Sequence, residues 1–156
     1  MNQQIRQYIQ RLEQTLQGDP WYGKSIYTLL GEVPEEIAFV QPGGRSHSAV
    51  EILYHMLTWA EFTLNRVQKK PIDDLDAFEK LDWRVIEPAQ HGWEEGMAAL
   101  TATHQELMAT LEMADDSLLD EKVDYRDYNF RTLLDGLLTH NIYHVGQIAV
   151  VHKLLS

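Results

Sequence analysis

The sequence predicts an all-α protein, a four-helix bundle that forms a single domain over residues 1–156. Four long segments repeat apolar residues at three- and four-residue spacing, and no segment alternates with a period of two. A length of 156 residues leaves room for about four helices of ordinary length and little else. The connections are long enough for up-down-down-up order as well as for simple up-and-down order.

The first predicted element is one interrupted helix. Apolar positions recur over about residues 2–16, stop at Gly18-Asp19-Pro20, and resume over about residues 22–30. Glycine and proline in this pattern mark the interruption. Residues 33–44 contain prolines and glycines and predict a loop with room for one helical turn.

The second predicted helix covers residues 48–68 and is apolar around most of its circumference, so we expect it to be the most buried helix. It opens at Ser48, with Glu51 three positions later. This spacing is typical of a capping box, in which the serine caps the helix and the glutamate bonds back to it. His47 then lies just outside the helix, in solvent.

The connection over residues 69–87 is long enough to cross one end of a bundle. Pro88 suits the first turn of a third helix, which runs to about Met113. An acidic loop over residues 114–128 follows it. Asn129 is then the N-cap of a fourth helix that ends near Leu155.

Composition excludes several classes of function. A net charge of −11 and the absence of a basic stripe argue against nucleic acid as a ligand. Without cysteine, a metal can be held only by nitrogen and oxygen, and a reactive thiol must come from a substrate. No apolar run approaches the roughly 18 residues that span a membrane, and the first residues do not resemble a secretory signal. We therefore expect a cytoplasmic protein without a membrane partner.

Two histidines lie four residues apart in the fourth helix. His140 and His144 therefore project from one face, on the apolar stripe that contains Leu133, Leu137 and Ile148. A buried imidazole needs partners for its ring nitrogens, because an unsatisfied polar group costs about 1 to 3 kcal/mol. The pair is consistent both with core histidines bonded to their neighbours and with two ligands of a metal.

A metal site in a bundle needs a third ligand from a facing helix. His55 lies in the most apolar predicted helix and is the natural candidate, although a lone histidine there also fits a satisfied core residue. Three neutral imidazoles with water in an open position would form a site of catalytic type. His104, on the apolar stripe of the third helix, is the strongest rival ligand. The sequence contains no His-Glu-x-x-His run and no glycine-rich phosphate loop.

These motifs resemble a known family. Residues 134–148, together with residues 48–55, resemble the DinB-like superfamily, also described as DinB and YfiT-like metalloenzymes. The resemblance extends over nearly the whole chain and includes Trp21-Tyr22-Gly23, Asp82-Trp83 and Trp93. It implies a four-helix bundle, usually up-down-down-up and often dimeric, with a divalent metal held by three histidines at one end of a cleft.

Carried over residue by residue, the resemblance implies that His55, His140 and His144 are the metal ligands. Known activities of the family include transfer of small thiols to electrophiles and a thiol-dependent isomerisation. We therefore expect a metal-dependent thiol transferase, or secondly a hydrolase, that acts on a small-molecule substrate and forms a homodimer. The alternative is a non-catalytic bundle that is stabilised by its metal and binds a small molecule or protein partner.

The identity of the ion stays open. Neutral imidazoles suit zinc, nickel, iron and copper, and we expect one divalent ion per chain, with zinc, nickel or iron as the candidates. Gln147, one turn after His144, and Glu51, one turn before His55, lie on the ligand sides of their helices. Either could orient an imidazole, although the capping box is the stronger explanation for Glu51.

Four further residues have structural and functional interpretations. Tyr143 and Trp59 are able to wall a pocket, but aromatic residues at such spacing also occur as ordinary core. For Gly136 and Gly146 the simplest explanation is a close approach between helices.

Overall fold

The computed structural model describes residues 2–156 and confirms the all-α class. Over this range the chain forms seven α-helices and two short 3-10 turns, and its non-helical pairing is limited to one isolated bridge between Lys122 and Asn129. The α-helices are α1 Gln3–Gln17, α2 Ile26–Gly31, α3 Glu35–Ala38, α4 Ala49–Val67, α5 Leu75–Glu79, α6 Trp93–Glu112 and α7 Phe130–Leu155. Within the described residues, no helix is both long and apolar enough to cross a membrane.

The central helix is α4, which packs against both α6 and α7. Its residues are buried at most positions, as its apolar pattern predicts. The predicted capping box is present: the Ser48 hydroxyl accepts from the backbone of Glu51, and the Glu51 carboxylate accepts from the backbone of Ser48. These two bonds satisfy donors that the first turn of a helix otherwise leaves free.

Helices α4 and α6 run in the same direction. The Tyr54 hydroxyl, near the start of α4, donates a hydrogen bond of 2.9 Å to the carbonyl of Gly92, just before α6. Gln68, at the end of α4, contacts Glu106, in the second half of α6, at 2.7 Å.

Helix α7 is parallel to α1 and antiparallel to α4. Gln4 and Arg131, near the starts of α1 and α7, are joined by a bond of 2.9 Å. His55 of α4 faces His144, well along α7. The N-cap of α7 is Asn129, as predicted, and its side chain accepts from the backbone of Thr132.

One predicted boundary in the first third of the chain is wrong. The interrupted helix is two separate helices, since α2 begins at Ile26 rather than near Tyr22. Between them the chain turns at Gly23, whose φ of 140° is a conformation that residues with a side chain rarely adopt. The loop before α4 contains one α-helical turn, α3, as predicted, and in addition a 3-10 turn at Pro42–Gly44.

The third predicted helix also begins later than expected, at Trp93 instead of Pro88. Residues 87–91 instead form a closed turn, in which the Glu87 carbonyl accepts from the backbone of Gln90 and His91 at 2.8 Å each. The backbone N–H of Glu87 donates to His91 Nδ1 at 2.9 Å. The bond from His91 to Glu87 is the first bond of a helix that starts at Pro88, but the helix does not continue because Gly92 is extended, with φ −66° and ψ 152°.

The glycine of closest helix approach is Gly96 in α6. A Cβ atom there would lie 2.8 Å from the Tyr54 ring and 2.9 Å from a Leu53 methyl group, so α4 contacts α6 through this glycine. The expectation for Gly136 and Gly146 is wrong, because a Cβ atom at either position would meet no other group within 4 Å. Both face open space.

We expect Gly96→Ala to destabilise the protein and Gly146→Ala to stabilise it. Both changes remove a helical glycine, which contributes up to about 1 kcal/mol in favour of alanine. At Gly96 the added methyl must displace the Tyr54 ring, at a cost of about 1 to 3 kcal/mol. Urea unfolding should show a lower free energy for Gly96→Ala and a higher one for Gly146→Ala. Equal gains in the two variants would contradict the close contact.

Candidate metal centre

Three imidazoles from two helices meet in the interior. Nε2 of His55, in α4, lies 2.9 Å from Nε2 of His140 and 2.9 Å from Nε2 of His144, both in α7. One ligand atom from each of the three side chains lies within 4.8 Å of the other two. His55 and His144 are each only 6% exposed, and His140 is half-buried. The structure thus brings together the three residues that the resemblance implied.

The outer nitrogens of two of these rings contact oxygen atoms. His55 Nδ1 lies 2.7 Å from Asp82 Oδ1, and His144 Nδ1 lies 2.6 Å from Gln147 Oε1. A carboxylate or amide oxygen only accepts, so the imidazole must donate from Nδ1. The neutral rings of His55 and His144 therefore carry lone pairs on Nε2, directed toward each other.

This arrangement fits a cation. The Nε2 lone pairs of His55 and His144 lie 2.9 Å apart and repel each other. A proton on Nε2 of His140 would relieve its own contact with His55 but not the contact between His55 and His144. His140 Nδ1 is itself buried without a hydrogen-bond partner. A divalent ion shared by the three Nε2 atoms would turn this repulsion into attraction, and imidazole nitrogens are ligands that such ions accept.

Asp82 contacts the histidine group, although no sequence pattern predicts that it belongs to the site. It lies in the connection between α5 and α6, and its Oδ1 accepts a second bond of 2.7 Å from Trp59 Nε1. Because Trp59 of α4 holds the Asp82 carboxylate in place, Asp82 fixes the orientation and the tautomer of the His55 ring. In the sequence, Asp82 stood out only as part of the dipeptide Asp82-Trp83 in the family resemblance. No helical spacing relates Asp82 to His55.

Trp83 covers the outer face of His55. Its ring stacks on His55 at 3.9 Å and 8°, and on His47 at 3.9 Å and 10°. His47 is exposed, as expected, but it is also the outer layer of this three-ring stack. The segment around Trp83 thus shields one side of the histidine group from water.

Burial lowers the pKa of all three histidines. The pKa of His140 falls to about 4, first because burial disfavours the charged ring and then because His144 and His55 add repulsion. The pKa of His55 is lowered by burial, which the negative charge of Asp82 partly offsets. Near neutral pH the three rings are therefore uncharged, the form that binds a metal.

His104, the rival ligand, lies outside this group. Its Nδ1 is 3.2 Å from the Tyr27 hydroxyl and its Nε2 is 3.1 Å from Asn141 Nδ2. Burial alone lowers its pKa to about 4. His104 is therefore a core histidine whose two ring nitrogens both have partners, the alternative that the sequence left open for His55 and for the pair His140 and His144. Its contacts join α2, α6 and α7.

The two proposed orienting residues lie in different surroundings. Gln147 contacts His144 Nδ1, on the ligand side of α7. The Glu51 carboxylate instead bonds to Ser48 and to the Gln41 side chain, so the capping box accounts for it.

Two clefts flank the group. One, of about 260 Å³, lies between α4 and α7, contains Trp59 in its wall and has His140 at one end. The other, of about 510 Å³, is lined by His47, Gln147 and Tyr143 among others. Trp59 and Tyr143, the two aromatic residues considered as pocket walls from the sequence, thus each line a cleft.

We expect Asp82→Asn to weaken metal binding by about 10- to 100-fold, as loss of a group that orients a ligand generally does. An asparagine that accepts from Trp59 must present its N–H₂ group elsewhere, including toward His55 Nδ1. The ring would then lose its fixed tautomer. Competition with a chelator measures the affinity, and Asp73→Asn, in the connection between α4 and α5, is the control for the lost charge. Equal affinities of the two variants would contradict the role of Asp82.

Fold and site together define a class: an all-α protein with a largely buried three-histidine group that could hold a metal ion. Comparison with protein families identifies it further. Residues 24–148, more than half of the chain, match the family model described as the DinB superfamily. The chain therefore belongs to the DinB superfamily, which confirms the resemblance. A comparison with curated proteins gives no match.

Proposed function

We propose that this protein is a metal-dependent enzyme in which His55, His140 and His144 hold one divalent ion. The reaction is the transfer of a small thiol, or secondly of water, to an electrophilic small molecule. One observation carries the proposal: Nε2 of His140 and Nε2 of His144 each lie 2.9 Å from Nε2 of His55. Asp82 and Gln147 accept the Nδ1 protons of His55 and His144.

Each surrounding residue has a role in this proposal. Asp82 and Gln147 keep the Nδ1 protons of His55 and His144 directed outward, and Trp83 excludes water from the face of His55. When bound, a divalent ion supplies one chemical effect: it lowers the pKa of a coordinated thiol or water, which becomes a better nucleophile near neutral pH. Because the chain has no cysteine, the thiol is a co-substrate.

Two features favour an enzyme over a metal that only stabilises the fold. Within the described part of the chain the group consists of three histidines, without a fourth histidine or a carboxylate. Three protein ligands leave a position open, as in catalytic sites. The cleft of about 260 Å³ gives a small molecule a route to His140.

The proposal extends to architecture. We infer one domain over the chain, with α1, α4, α6 and α7 as an up-down-down-up bundle, supported by the parallel pairs α4–α6 and α1–α7. A homodimer is part of the same proposal. Tyr143, Val150 and Leu154 expose apolar surface along α7 that a second copy would cover.

The test is a metal-dependent conjugation of mercaptoethanol, cysteine or glutathione to chlorodinitrobenzene. In this reaction a sulfur–carbon bond forms, chloride leaves and the thiol proton passes to solvent. We expect protein loaded with zinc, nickel or iron to accelerate the reaction, and chelated protein and His140→Ala to lose the acceleration. If no thiol gives a metal-dependent rate, and common esters and amides are not hydrolysed, the non-catalytic alternative replaces the enzyme.

A further inference from the structure

The cleft between α4 and α7 ends at the histidine group. Its α7 wall runs from Thr132 to His140, about two helical turns or roughly 12 Å. Its complete lining consists of Trp59, Phe62, Thr63, Tyr128, Thr132, Leu133, Gly136, Leu137 and His140. A molecule lying along this wall would have one end beside His140.

The chemistry of the lining is apolar and uncharged. Three aromatic and two leucine side chains supply most of it, and none of the nine residues is an acid, a lysine or an arginine. The Thr63 hydroxyl already donates to the Trp59 carbonyl at 2.8 Å. Arg126 lies 4.7 Å from the centre of the Phe62 ring, but Glu79 pairs with it at 2.9 Å. A second guanidinium, Arg66, lies 5.8 Å from the same ring but is not among the residues that line the cleft, so no charged side chain forms this wall.

The size of the cleft limits its occupant. Its volume is about 260 Å³. An apolar cavity of about 150 Å³ holds benzene, and pockets for drug-sized ligands begin near 300 Å³. The space therefore holds one ring with a short side chain, and any further part of a ligand would lie outside it.

Building on the proposed function, we propose that this cleft binds the substrate through a neutral aromatic, or comparably flat apolar, group. The reacting atom lies on a short side chain at the His140 end. The substrate class is thus a small, uncharged, single-ring compound rather than a polar acid or a phosphorylated metabolite.

Gly136 allows the cleft to be filled without replacing a histidine. It lines the cleft, and a side chain added there meets open space. Gly146, ten residues later in α7, is a matched control because it also faces open space but lines the other cleft. Thr132→Trp fills the same cleft from a second position, in case Gly136→Leu disturbs the helix.

The experiment uses calorimetry on zinc-loaded protein with benzyl mercaptan and mercaptoethanol as probes. We expect the ring to improve binding at least about tenfold, by burial of its apolar surface. Gly136→Leu and Thr132→Trp should lose this preference and keep their zinc, whereas Gly146→Leu should keep both. An equal affinity for the two thiols, or equal effects of Gly136→Leu and Gly146→Leu, would overturn the proposal.

Toluene, which has no metal-binding atom, separates this inference from the proposed function. In metal-free protein it should still shift the amide NMR signals of Gly136 and Phe62. If zinc and thiols fail to bind but toluene shifts these signals, the proposed function fails and the apolar cleft stands. If zinc and both thiols bind but toluene leaves these signals unchanged, the cleft assignment fails and the proposed function stands.

Discussion

His144→Ala should reduce the bound metal from about one ion per chain to close to none. The substitution removes one of three converging nitrogens, and it also leaves Gln147 without the ring that it orients. The two remaining imidazoles bind a divalent ion too weakly to keep it from water and buffer ligands. The helices should persist, because the core is formed mainly by apolar residues of α1, α4, α6 and α7.

Elemental analysis of the purified protein measures the ion content, and a circular-dichroism spectrum reports whether the helices remain. The matched control is His152→Ala, which removes an imidazole two turns further along α7, outside the histidine group. It should keep its metal. Stoichiometric metal in His144→Ala would remove His144 from the ligand set and with it the proposed centre.

The metal-free protein should lose stability in acid, in large part through His104. Burial lowers the pKa of this ring from 6.5 to about 4, so the unfolded chain takes up a proton at a higher pH than the folded one. The stability is therefore complete above about pH 6.5 and is lost as the pH falls toward the folded pKa. A shift of this size corresponds to about 3 kcal/mol of unfolding free energy.

Urea unfolding at about pH 7 and about pH 4.5 tests this expectation in wild type and in His104→Gln. Glutamine keeps a donor and an acceptor but does not titrate, so the variant should lose less stability on acidification by about 2 kcal/mol or more. Chelated protein is used throughout, which removes proton competition with a metal. His152→Gln should behave as wild type, and an unchanged acid loss in His104→Gln would exclude His104 as its source.

Local chemistry is the part of this protein that its sequence predicts well. The start of α4 follows from Ser48 and Glu51, and the start of α7 follows from Asn129, because capping bonds span only three residues. The shared face of His140 and His144 follows from helical geometry alone. For Pro88 the same kind of argument fails, because the single turn that begins there ends at the extended Gly92, and α6 begins only after it.

The family resemblance supplied the step from the histidine pair to a third partner on α4. Periodicity shows that His55 is buried, but it does not say which helix faces it. By itself, then, the sequence determined the fold class, two helix starts and a pair of imidazoles on one buried face. The absence of cysteine likewise determined that any ligand is nitrogen or oxygen.

Only the tertiary structure decided which groups surround the histidines. Asp82 and Trp83 reach His55 from a connection 27 and 28 residues further along the chain, and no periodic pattern records such a contact. The same holds for the core role of His104 and for the open space beside Gly136. Contacts of this kind depend on how whole helices and loops pack, which local spacing does not encode.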